Sequence, residues 1–336
     1  MVKTSSNHPT LEVKGLQVDF PGRRGTLTAL SDVSLSIMPG EILGVVGESG
    51  AGKSMTGLAV QGLIEPPGHI AGGEVWLNGR RIDQLSDKDM QKIRGREIGA
   101  IFQDPLTSLN PLFTIGAQLV ETIRQHLPMS ASQALERAIS LLKEVGIPAP
   151  EDRINHYPHQ FSGGMRQRVV IALALAAGPK LIIADEPTTA LDVSIQAQIT
   201  SLLRRLCKEH GTAVMLVTHD MGVIAETADR VAVMYAGRLV ENGPVETVLK
   251  NPTHMYTRGL MSSIPALGKR VERLNQIDGS MPRLDAIPNG CAFNPRCVKA
   301  FDRCRVERPD LMPVMDGNTT NATSSVSACW LNAGAA

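Results

Sequence analysis

Apolar and polar residues alternate at period two through Leu11, Val13, Val18 and Phe20, and again through Val33, Leu35 and Ile37, the pattern of strands buried on one face. After the turn Pro39-Gly40 the run Ile42-Leu43-Gly44-Val45-Val46 is apolar throughout, which predicts a strand covered on both faces of a parallel sheet. A glycine-rich loop and a helix follow it. Residues 74–82 read as a hairpin about Asn78-Gly79. Ser130-x-x-Gln133 is a capping box for a helix whose apolar face carries Leu135, Ala138, Leu142 and Val145 and which Gly146 can end. The stretch from about residue 105 to 178 is therefore a helical insert. Strands are then predicted at Leu181 to Ala184, Ala213 to Val217 and Val231 to Tyr235, with a helix carrying Ile195, Ile199, Leu202 and Leu206 between the first two. Alternating strand and helix place the core in the α/β class. From about Pro265 the pattern dissolves into Pro, Gly and Cys and ends in a Thr/Ser/Asn-rich stretch, Asn318 to Ser327, which divides the chain into residues 1–265 and 266–336.

Composition narrows the function. The chain has 336 residues, enough for about two domains. Its 34 basic and 33 acidic side chains leave a net charge of +1, which argues against a polycationic nucleic-acid binder. Residues 1–15 show no apolar core behind Lys3, and the longest greasy stretch, Val169 to Ala177, is about half of what a membrane span needs. The expectation is a chain neither secreted nor itself membrane-spanning. In a reducing compartment, clustered thiols more often bind metal than pair as disulfides. Four of the five cysteines fall after residue 290.

Gly47-Glu48-Ser49-Gly50-Ala51-Gly52-Lys53-Ser54 satisfies G-x-x-x-x-G-K-[ST] between the predicted strand and helix that the motif requires, with Met55 the next residue of that helix. Backbone amides can converge there on a β-phosphate, Lys53 can reach the β- and γ-phosphates, and the Ser54 hydroxyl can ligate Mg²⁺. Further on, an apolar strand delivers Asp185 and Glu186 at its carboxyl end, where ligands of open α/β sheets bind. Asp185 would hold magnesium through water, and Glu186 would orient and deprotonate the attacking water. An acidic pair after a strand is by itself usually a turn or helix cap, and only the P-loop reverses that reading. Between the two motifs, Ser162 can cap a helix whose first residues, Gly163 and Gly164, bare their amides to phosphate.

Phe161-Ser162-Gly163-Gly164-Met165-Arg166-Gln167-Arg168 resembles the signature motif of ATP-binding-cassette (ABC) ATPases, and the order of P-loop, glutamine loop, signature, Asp-Glu pair and downstream histidine is similar to that family's. The resemblance implies an ABC-type nucleotide-binding domain with a RecA-like core, an antiparallel β-subdomain and a helical subdomain. It implies Gln103 as the glutamine that senses magnesium and the transport partner, Asp192 as an inter-subunit contact, and His219 as the switch that touches the γ-phosphate. It also puts Phe20 where the family keeps an aromatic that stacks on adenine. Phe161 and Met165 depart from the commoner Leu and Gln, while the phosphate-facing Ser162, Gly163 and Gly164 are intact. A dimer with two interfacial ATP sites follows from the resemblance.

Three stretches, 102–111, 157–161 and 185–193, look like the ATPase subunits of bacterial dipeptide/oligopeptide importers, and 251–257 and 288–297 look like that group's C-terminal extension. This implies a second ABC ATPase subunit, two membrane permeases and an external peptide-binding protein, with this chain at the cytoplasmic face of the inner membrane and no nucleic-acid partner. Nickel and haem are cargoes of relatives, and a soluble ABC protein of translation or DNA repair is the more distant alternative.

Cys291, Cys297, Cys304 and Cys329 offer four thiolates in a segment too poor in apolar residues to build much of a core, so a metal could order it. The close spacing usual in zinc sites is absent. Four thiolates suit an iron–sulfur cluster and resemble the cluster-bearing tails of some peptide-importer ATPases, so a [4Fe–4S] cluster is expected ahead of zinc or of free or disulfide-bonded cysteines. Cys207 lies on a predicted helix beside Leu206 and reads as a buried structural residue. Asn318 and Asn321 each head a glycosylation sequon that a cytosolic chain would leave unmodified.

Overall fold

A computed structural model describes residues 8–23, 25–189, 191–263, 276–314 and 325–332. The sequons at Asn318 and Asn321 lie outside these described residues. The chain divides into two compact units, one of Met1–Leu11, Ile37–Ile42 and Leu77–Leu216, the other of Glu12–Ser36, Leu43–Trp76 and Val217–Ala336.

In the first unit the strands Ile98–Ile101 and Leu181–Asp185 run parallel and in register, Ile98 opposite Leu181 and Ile101 opposite Ala184. Ala213–Val217 borders Leu181–Asp185 on its other side. The apolar positions of these strands are almost all buried, each large side chain contributing about 1.5–3 kcal/mol, as continuous apolar runs require. The helical insert is present as Ile115–His126, Ala131–Glu144 and Gly163–Leu175. The Ser130 and Gln133 capping box forms with both of its reciprocal bonds. The apolar stripe of that helix is Ala134, Ala138, Leu141, Leu142 and Val145, whereas the expected Leu135 is 42% exposed. Leu135 shares the spacing but sits on the flank of the stripe, where small Ala134 faces the neighbouring helices instead. The greasy stretch from Val169 belongs to a helix buried nearly all round. Among the described residues no helix is long and apolar enough to cross a membrane. Cys207, on helix Val193–His210, is 1% exposed, as expected of a packing residue.

In the second unit Leu43–Val46 pairs in parallel with Arg230–Tyr235, and Arg238–Pro244 returns antiparallel beside it. The short strands Val326–Ser327 and Met312–Pro313 extend this sheet, Glu241 lying opposite Ser327. The C-terminal segment thus contributes two short strands to this sheet. Leu11–Gly22 lies between Gly25–Ile37 and His69–Leu77 in the second sheet, almost wholly in this unit. Its buried positions shift from odd to even numbers, Leu11 and Val13 and then Leu16 and Val18, across Gly15, whose φ of +56° only glycine adopts readily.

Candidate functional site

The second unit carries the P-loop. The fully buried strand Ile42–Val46 ends at Gly47, and helix Lys53–Gln61 begins with Gly52 at its N-cap and no side-chain cap. Glycine at 47 is dictated by space, since a Cβ there would lie 2.3 Å from the Met234 carbonyl oxygen. The Lys53 side chain is buried and donates from Nζ to the Gly47 and Glu48 carbonyls at 2.8 and 3.0 Å, a cation held at the mouth of an uncapped helix. Ser49, Gly50 and Ser54 are exposed, Ala51 is buried, and Met55 is half-buried on the helix. Thr218 donates its N–H to Val45 O at 3.1 Å, which ties the segment carrying exposed His219 to the strand that enters the P-loop. Half-buried Phe20 places its ring where a side chain on Gly68 would stand.

The first unit carries the acidic pair and the signature. Strand Leu181–Asp185 delivers Asp185 at its carboxyl end, and Glu186 follows with φ +46°, an uncommon conformation for a residue with a side chain. Glu186 Oε2 accepts from Gln103 Nε2 at 3.0 Å and from the Thr189 hydroxyl at 2.9 Å. Gln103 and Glu186, distant in sequence, are therefore brought together. Exposed Ser162 caps helix Gly163–Leu175 by accepting from the Met165 N–H at 3.4 Å, and Gly163 and Gly164 open that helix as expected. A Cβ on Gly164 would come within 2.7 Å of Ile195 Cγ2, so the signature helix abuts the helix that Asp192 begins. Exposed Asp192 makes no side-chain cap to that helix. Phe161, where leucine is commoner, is buried at 3% exposure, edge-on to His156 with Arg153 over its ring.

Each of these parts has counterparts in known proteins. An ABC transporter family model matches residues 30–189, and the model of the oligopeptide/dipeptide transporter C-terminal region matches residues 240–304. The oligopeptide transport ATP-binding protein AppD of Bacillus subtilis is 46% identical over 310 residues, 92% of this chain and 94% of that protein. The chain belongs to the ABC transporter family. The dipeptide transport ATP-binding protein DppD of Escherichia coli is 46% identical over 307 residues, 91% of this ABC chain and 94% of that one. Among solved structures, a dimeric post-hydrolysis state of the ATP-binding cassette MJ0796 bound to ADP and Pi superposes with a TM-score of 0.62 at 32% identity, covering 70% of this ABC chain and 98% of that one.

The C-terminal cysteines of this ABC protein lie in the second unit. Cys291, Cys297, Cys304 and Cys329 are unpaired and line one cavity together with His254. Burial, and then the nearness of the other three thiols, pushes Cys291 up to about 11. Among the described residues no group of three or more His, Cys, Asp or Glu is placed to hold a metal ion, so the thiols share a cavity wall without forming a single-ion site.

Sequence reasoning left three residues without a role. Thr189 holds Glu186. Tyr256 and Arg296 reach the P-loop from the C-terminal region, Tyr256 Oη accepting the Glu48 N–H at 2.8 Å and Arg296 gripping the Glu48 carboxylate. Both sit inside the stretches that marked the importer branch, yet nothing in a linear pattern pairs residues more than 200 positions apart.

Proposed function

We propose that this chain is the ATP-hydrolysing subunit of an importer for dipeptides or oligopeptides, acting at the cytoplasmic face of a bacterial inner membrane. The observation that carries the reading is the joint presence, on one chain, of the ABC cassette and the oligopeptide/dipeptide C-terminal region. The P-loop amides and Lys53 would bind the triphosphate, with Phe20 against the adenine and His219 at the γ-phosphate. Ser54, Gln103 and Asp185 supply hard oxygen donors suited to magnesium, and Gln103 uses Nε2 on Glu186, so Oε1 is the atom it would offer. Magnesium, when bound, neutralises phosphate charge. Glu186 would take the proton of the attacking water while Gln103 and Thr189 hold the carboxylate still. Ser162, Gly163 and Gly164, with Asp192, would close on the nucleotide held by a second ATPase subunit. Exposed Phe102, next to Gln103, and exposed Leu112 and Phe113, further along the chain, offer apolar surface for a permease.

The test is uptake of labelled dipeptides, oligopeptides, nickel and haem by cells whose own copy is replaced with Glu186→Gln. Peptide uptake is expected to stop while nickel and haem uptake continue; the reverse result would assign the chain to another cargo. Affinity purification from gently solubilised membranes should recover two polytopic permeases and a second cassette, with a peptide-binding protein delivering cargo from outside. Recovery of ribosomal or DNA-repair proteins alone would remove the transport reading.

We also infer that the four C-terminal cysteines hold a [4Fe–4S] cluster. In a cubane each iron takes one thiolate, so the ligands need not meet at one point, whereas zinc draws four donors to about 2.3 Å of a single ion. Iron and acid-labile sulfide in near-equal amounts after anaerobic purification, lost in Cys291→Ser, is the expected result. Stoichiometric zinc, or no metal after reconstitution with iron and sulfide, would reject it.

A further inference from the structure

Glu48, the second residue of the P-loop, is fixed from three sides within one compact unit. Its carbonyl accepts from Lys53 Nζ at 3.0 Å and from the Ala51 N–H at 3.1 Å, so its placement sets that of the phosphate-binding lysine. Its N–H is taken by the hydroxyl of Tyr256 at 2.8 Å. Its carboxylate meets Arg296 in a two-pronged pair, NH1 to Oε2 at 2.8 Å and NH2 to Oε1 at 3.0 Å.

Neither partner is a loose surface group. The Arg296 side chain is 7% exposed, donates from Nε to Asp278 O at 2.9 Å, and lies over the rings of Tyr235 and Phe293. A guanidinium with its fork filled in this way is pre-organised for a carboxylate and is not mimicked by a lysine. Tyr256 is fully buried, and its helix is set by Glu241, which accepts from the Thr253 N–H and hydroxyl and from the His254 N–H. Both contacts come from the C-terminal region, 208 and 248 residues away from Glu48.

We propose that Arg296 and Tyr256 are positioning residues of the ATP site, through which the C-terminal region sets the form of the P-loop and cancels the charge of its glutamate. A bound nucleotide brings several negative charges to the amides that follow Glu48. An unpaired carboxylate in that loop repels them, and an unanchored one frees Lys53 from its place. The role is one of nucleotide affinity rather than of proton transfer, since neither side chain is offered to water or to the γ-phosphate.

The test uses the full-length chain in its transport complex and measures MgATP Kd with a fluorescent analogue, together with KM and kcat. Arg296→Ala is expected to raise Kd and KM about tenfold while kcat at saturation changes less than about threefold. Removing the stranded charge in Glu48→Gln/Arg296→Ala should recover most of the loss, and Arg296→Lys only part of it. Tyr256→Phe, which deletes only the hydroxyl, should raise Kd by about threefold. A merely structural role would lower kcat with the folded fraction and leave KM alone. Unchanged KM in Arg296→Ala, or no recovery in the double variant, overturns the proposal. If Arg296→Ala fails to fold, Arg296→Lys and Tyr256→Phe decide it by the same KM readout.

Discussion

Gln103 donates to Glu186 across 3.0 Å, tying the loop after strand Ile98–Ile101 to the loop after its parallel neighbour Leu181–Asp185. Because Ile101 and Ala184 are in register, both loops leave the sheet at the same edge, and a side chain from each can share one carboxylate oxygen. Glu186 keeps a left-handed backbone there, at a cost of about 1–3 kcal/mol, and the two donors on Oε2 fix where its carboxylate points. Both donors are neutral and both bind the same oxygen of the carboxylate.

Glu186→Gln preserves size and can still accept from Gln103 and Thr189, but it cannot take a proton. Hydrolysis is expected to fall by about 10²–10⁴-fold with MgATP affinity within about threefold of the parent. Phosphate release and nucleotide binding measured on the same preparation check this. Turnover above a tenth of the parent rate would mean that another group is the base.

Gly47→Ala meets a backbone atom rather than a yielding side chain, because its Cβ would stand 2.3 Å from Met234 O. The strand end and the P-loop must move apart. Overpacking of this kind costs about 1–3 kcal/mol, and the displaced loop should bind MgATP more than tenfold more weakly at about the order of magnitude expected for a misplaced phosphate cradle. Calorimetric binding and a thermal melt of the same variant would read the two effects separately.

The parts of the site that lie close along the chain were legible from sequence: the P-loop between its strand and helix, the acidic pair at a strand end, and Ser162 as a cap, all carried by local periodicity and capping chemistry. What is not local was not legible. The Gln103–Glu186 bond depends on strand order, and the Arg296–Glu48 pair on the C-terminal strands joining the sheet beside Arg238–Pro244. Leu135 shows the limit of periodicity itself, since spacing defines a stripe but the neighbouring helices decide which edge of it is covered.

Gly164 is a packing glycine. Alanine there brings a methyl group to 2.7 Å from Ile195 Cγ2, forcing the signature helix away from helix Val193–His210. Gly164→Ala should lose about 1–3 kcal/mol of stability, and adding Ile195→Ala should return most of it. Denaturation midpoints of the two single variants and the double variant test the coupling; strictly additive losses would show that the two residues do not press on each other.

His254 is buried as the neutral imidazole, its Nδ1 accepting from the Tyr256 N–H at 3.1 Å, and burial lowers it to about 4. In the unfolded chain the ring titrates near 6.5, so between those values the unfolded state binds more protons than the folded one. Stability from this group is therefore complete above about pH 6.5 and is lost as pH falls toward 4, by at most about 3 kcal/mol. The measurement is made on the metal-free chain, in which Cys291 and Cys329, raised by burial on the same cavity wall, stay neutral across this window and Arg238 keeps its charge. His254→Asn retains an acceptor for the Tyr256 N–H without a titrating ring. Urea midpoints measured from pH 7.5 to 4.5 should therefore fall less steeply in the variant than in the parent. Parallel curves would show that His254 is not the group whose protonation loosens the anchor beneath the P-loop.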